Sequence, residues 1–231
     1  MVLELVLGNI RDELEKLSID IDKFLKKEIS QKDWKTIEMI FDSVNRDRQK
    51  IIDAPEDKLQ LIFNKTIEPF ALHISSFFDI IFKAMDGNIS KVLYSDRYAY
   101  ERIVAIIKKN AKVIGEKRSD DITSILDKWM DYSTIASINL IRNLSQFTVA
   151  LKQINTSDFV LNSYGTLLSL TCLMKFLRNE QVDSKKFDII LELGIKYSDM
   201  LESYADTLDI LCSPDEKEII KNIDNKQIPN N

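Results

Sequence analysis

Residues 2–28, VLELVLGNIRDELEKLSIDIDKFLKKE, decide how this chain is read. Leu3, Leu7, Ile10, Leu14, Leu17, Ile21 and Phe24 recur at alternating steps of four and three, which lines one side of an α-helix. Arg11, Asp12, Glu13, Glu15 and Lys16 fall on its other faces. The pattern crosses Ser18 without a change of step, so one long helix is expected here rather than two short ones. Ser30, with an acid three residues on at Asp33, has the form of a capping box that opens the next helix.

That second helix repeats the seam with Trp34, Ile37, Phe41, Val44 and Ile51, and Arg48 stands where one more apolar residue would complete it. Two seams of equal length joined by a tight turn predict an antiparallel hairpin over 1–53. Folding back at Ser30 sets Arg48 opposite Asp12 and Glu13, which would supply a buried guanidinium with the carboxylate it needs. Leu5, Val6, Leu25 and Ile40 lie outside the strict seam and widen it, so apolar surface to spare, and with it a symmetric dimer, is expected.

Outward from the hairpin the helical reading continues. Asp53, Pro55 and Glu56 combine a cap, a first-turn proline and an acid at the positive end of the helix dipole. The third helix carries Phe63, Phe70 and Phe77 beside Ile67, Ile74 and Ile81 and is expected to stop at Gly87, with a kink or break before Pro69. Further helices are predicted over 96–118, 119–154, 159–177 and 187–211, with a short last one opened by Ser213, Pro214 and Glu216. Gly165 with Ser169, and Gly194 with Ser198, put small residues one turn apart, which suggests a close crossing of the sixth and seventh helices.

Five glycines and four prolines leave little material for β-turns, and 45% hydrophobic content in 231 residues suffices for one core. The fold expected is therefore an all-α antiparallel bundle of about seven to eight helices in one domain, 1–220. Residues 1–53 form its hairpin, 55–212 the remaining bundle, and 221–231 a polar tail.

Cys172 and Cys212 have no metal-binding or disulfide-framework spacing, and the N-terminus lacks the basic start of a secretory signal. The uncharged run from Phe159 to Met174 is shorter than the roughly 20 apolar residues of a membrane span. A cytoplasmic protein with no membrane association, and a central helix over that run, follow as expectations. A net charge of −5 argues against a dedicated nucleic-acid or anionic-membrane binder.

The sequence carries one histidine and no GxGxxG, GxxxxGK[ST] or GxSxG motif, so no catalytic, cofactor-binding or metal-ligating residue is assigned and no cofactor is expected. His73, between Phe70 and Phe77, reads as a packed histidine before it reads as an axial ligand. Asp127 with Asp131 and Glu202 with Asp206, the latter in a stripe with Asp199 and Asp209, would hold a cation only if their helices faced each other. Arg97, Arg102, Lys108, Lys109, Lys112, Lys117 and Arg118 make the segment 97–118 basic, and Tyr94, Tyr98 and Tyr100 interleave with its start as single-strand binders do. Asn139, Asn143 and Gln146, with Arg142, are either an interior polar cluster or a wet helix edge.

The function expected on this reading is that of a non-enzymatic interaction or scaffold protein. It would dock a protein partner, or a second copy of itself, through the seam Leu3, Leu7, Ile10, Leu14, Leu17, Ile21 and Phe24. Two alternatives stand beside it: a metal- or small-molecule-binding bundle, and a nucleic-acid accessory protein using 97–118.

Overall fold

A computed structural model describes residues 2–72, 89–142, 156–178 and 184–212, with isolated positions 150 and 153. Among the described residues there are eight α-helices, one 3-10 turn and no strand, so the chain is the all-α bundle that its spacing predicts. The helices are α1 (Val2–Glu28), α2 (Gln31–Ile52), α3 (Leu59–Leu72), α4 (Ile89–Lys109), α5 (Ala111–Ile114), α6 (Glu116–Arg142), α7 (Thr156–Arg178) and α8 (Ser184–Cys212).

α1 is one helix through Ser18, as the unbroken seam requires. Ser30 caps α2: its hydroxyl accepts from the Asp33 N–H at 3.2 Å and donates to the Asp33 carboxylate at 2.6 Å. Around this turn Leu25, Ile29, Trp34 and Ile37 form a small buried cluster that closes the tip of the hairpin. Past the tip the two helices part. α1 packs mainly against α4 and α7, α2 packs against α7 and α3, and the two touch each other far less.

This separation corrects the expected pairing of Arg48. Glu13 bonds Lys109 of α4 instead, and the Nε of Arg48 is buried with no acceptor among the described residues. The α2 seam keeps Trp34, Ile37, Val44 and Ile51 buried but departs from the expected pattern at two positions. Phe41 is 47% exposed while Asp47, outside the seam, is buried.

α7 is the central element. It contacts α1, α2, α3, α6 and α8, and although long and apolar enough for a membrane crossing it is mostly buried inside the bundle. Its polar side chains close on their own backbone. Ser163 donates to the Phe159 carbonyl at 2.8 Å, Thr166 to Asn162 at 2.9 Å, Ser169 to Thr166 at 2.8 Å and Thr171 to Leu168 at 2.9 Å.

The expected close crossing of α7 with α8 is present. A Cβ on Gly165 would lie 2.7 Å from the Tyr197 ring, and one on Gly194 would lie 2.9 Å from both Ser169 Oγ and Ile125 Cδ1. Elsewhere the boundaries differ from those predicted. α3 runs through Pro69 to Leu72 rather than breaking before it. The basic segment is not one helix, because Asn110 turns its amide onto the Ile106 carbonyl at 2.8 Å and Gly115 adopts φ 102°, which stops α5. Ser119, expected as a cap, is therefore inside α6 and buried.

Candidate ligand pocket

A cavity of about 300 Å³ opens between α2, α4, α6 and α7. α6 contributes Leu126, Trp129 and Met130 to its wall, α7 contributes Leu167, Leu170 and Met174, and α4 contributes Ala99, Tyr100 and Ile103. These side chains are placed by ordinary amphipathic packing; what they enclose is not ordinary. Arg48 from α2 and Lys175 and Arg178 from the last turn of α7 line the same space.

The charges there are poorly compensated. The Nε atoms of Arg48 and Arg178 are both buried without an acceptor among the described residues. Arg178 does give one Nη2 hydrogen bond to the Leu14 carbonyl at 2.9 Å. Burial, and then the like charge of Arg48, push the Arg178 guanidinium below its usual range, against a weaker pull upward from Glu15. The carbonyl end of α7 offers these cations partial stabilisation, on the order of 0.3–1 kcal/mol.

The acid next to Arg48 in the chain is engaged elsewhere. This residue, Asp47, points into the core, where it accepts from the Tyr164 hydroxyl and from Lys50 Nζ, each at 2.8 Å. Burial and the Asp47 charge raise the Tyr164 phenol far above its ordinary value, so it stays a donor. Tyr100 is fixed in the same way. Its hydroxyl donates to Asp127 at 2.7 Å, and this bond, then burial, holds its pKa up at about 12. Cys172 is fully buried and its thiol is pushed up to about 12 by desolvation, with Arg48 pulling the other way.

The residues singled out in the sequence are distributed as follows. Ile10, Leu14 and Leu17 of the α1 seam are buried in the main core, and Ile21 and Phe24 pack on the hairpin tip. The side chains of Leu3 and Leu7 lie outside the described residues, as do His73, the stop at Gly87, the amides Asn139, Asn143 and Gln146, and the chain from 213 onward.

α6 and α8 do face each other, and Asp131, Glu202 and Asp206 line a second cavity of about 210 Å³. Lys128 sits within that group, bonded to Asp199 and, at 3.1 Å, to Glu202. With Asp127 taken by Tyr100, no set of three or more His, Cys, Asp or Glu side chains among the described residues is placed to hold a metal ion.

The basic segment is partly neutralised within the fold. Arg97 pairs with Glu101 at 3.2 Å and Lys109 with Glu13. Arg118 makes a two-pronged contact with Asp188, both bonds at 2.8 Å, over the Phe187 ring.

Of the pocket cations, only Arg48 stood out in the sequence as a charge in an apolar stripe. Arg178 and Lys175 look like ordinary C-terminal helix cations, and only the packing of α7 beside α2 brings them to Arg48. Comparison with protein-family models, curated proteins and solved structures finds no match for this chain.

Proposed function

We propose that this protein is a small-molecule-binding helical bundle and that its ligand enters the cavity between α2, α4, α6 and α7. The observation that carries this reading is the cavity itself: about 300 Å³, walled by aliphatic and aromatic side chains, with a few convergent polar groups. That combination is the usual make-up of a ligand site, and the volume lies at the small end of the usual range.

Trp129 in the wall provides the test. The protein has two tryptophans, so Trp34→Phe leaves Trp129 as the sole donor for energy transfer. Titration with N-phenyl-1-naphthylamine, a neutral apolar fluorophore, is expected to quench Trp129 saturably at one equivalent. Ala99→Phe, which fills the cavity from α4, is expected to abolish the saturable phase. Quenching that never saturates, or that Ala99→Phe leaves unchanged, refutes the proposal.

A second reading, docking of a protein partner or second copy through the N-terminal hairpin, draws on Phe41. This seam residue is turned 47% outward on α2. The mass in light scattering at micromolar concentration tests self-association. A monomer, unchanged by Phe41→Asp, removes it.

A further inference from the structure

We infer that the ligand of this cavity is an amphiphilic acid, an apolar body ending in an oxyanion that Arg48 and Arg178 hold together. The inference rests on the cavity being a ligand site and adds the chemistry of what fills it. Two guanidinium groups from different helices border one space, and each keeps its buried Nε without an acceptor. Lys175 adds a third cation to the lining.

The nearby acids make their bonds elsewhere. Glu15 acts on Arg178 through space, Asp47 faces Tyr164 and Lys50, and Glu13 bonds Lys109 through Oε1 while its Oε2 is buried without a donor among the described residues. Like charges gathered in a half-buried place repel, and an unmet buried donor is costly to the fold. An oxyanion seated among Arg48, Lys175 and Arg178 would offset that repulsion. The fork of an arginine matches either a carboxylate or a phosphate in paired hydrogen bonds, which is why the head group is an oxyanion rather than a halide or a neutral hydroxyl. The rest of the lining, Leu126, Met130, Leu167 and Leu170 among it, has nothing to offer a charge and suits a hydrocarbon or aromatic body.

The test compares octanoate, octyl phosphate and 1-octanol, which share one tail, on the single-tryptophan protein. Octanoate or octyl phosphate is expected to bind roughly ten-fold or more tighter than octanol, with an advantage that shrinks as salt is added. Whichever acid is the tighter identifies the head group as carboxylate or phosphate monoester. Arg48→Gln and Arg178→Gln are each expected to lower the acid's affinity about ten-fold while leaving octanol within about two-fold.

Should either variant fail to fold, the comparison of acid with alcohol on the unsubstituted arginines still decides. Equal affinity of octanol and both acids overturns the acid assignment, while saturable binding of the neutral naphthylamine shows that the pocket itself stands. Loss of saturable binding for every probe overturns both.

Discussion

Replacing Arg48 with Met should make the ligand-free protein more stable, which is the opposite of what removing a structural arginine does. The Nε of Arg48 is buried with no acceptor among the described residues, and the neighbouring Arg178 carries the same charge. A buried donor left unmet costs about 1–3 kcal/mol. Part of that is recovered where the rest of the guanidinium reaches the cavity, which has room for water. Met keeps most of the packing of the aliphatic stem. The net gain expected is about 1 kcal/mol, or a rise of roughly 2–4 °C in melting temperature for a chain of this size. Urea unfolding with an unchanged slope is the assay, run on protein unfolded and refolded to strip any co-purified ligand. A loss of about 1 kcal/mol or more would refute the reasoning and make Arg48 a strut of the bundle rather than a group waiting for an anion. A gain accompanied by lost binding of acids is the familiar opposition between stability and function.

Three further outcomes follow from particular contacts. Tyr164→Phe strips the buried Asp47 carboxylate of the donor at 2.8 Å and should cost about 1–3 kcal/mol in urea unfolding; adding Asp47→Asn should restore part of it, giving a non-additive double-mutant cycle. Gly165→Ala should destabilise by about 1–3 kcal/mol despite the helix propensity of Ala, and by more than Gly194→Ala. The Tyr197 ring 2.7 Å away is pinned by stacking on Phe63 and by its bond to Asn64, whereas Gly194 faces the flexible end of Ile125 and the Ser169 hydroxyl. Stability should fall as pH rises above about 10, because Tyr100 and Tyr132 stay protonated in the fold up to about 12 while the unfolded chain releases those protons earlier. Absorbance at 295 nm checks this, and early ionisation of all seven tyrosines in the folded protein would contradict it.

The sequence made the helices legible and left their neighbours obscure. The seam from Leu3 to Phe24 and the Ser30 cap specify α1, α2 and the turn by purely local rules, and the structure has all three. The pairing of Arg48 with Asp12 or Glu13 assumed that sequential helices stay adjacent along their whole length. α7, over a hundred residues later, packs against both instead. Gly115 shows a second kind of opacity. A glycine inside a helical pattern is a weak signal, and only its positive φ separates a break from a tolerated flaw. The small residues Gly165, Ser169 and Gly194 were readable as a close crossing because a missing side chain has the same meaning in any helix pair. The pocket was the least accessible feature. It depends on three cations from two distant helices, and two of them satisfy a local rule for helix ends that conceals their other neighbour.

The position of α7 bears on how the chain is made. During synthesis α2 and α3 leave the ribosome with their apolar faces formed, yet the helix that covers much of both begins only at Thr156. About a hundred residues must be added before the core can close, and through that interval the nascent chain exposes Val44, Ile51, Phe63 and Ile67, all buried in the finished protein. A fragment ending before α7 should therefore be captured by chaperones or aggregate rather than persist as a smaller bundle.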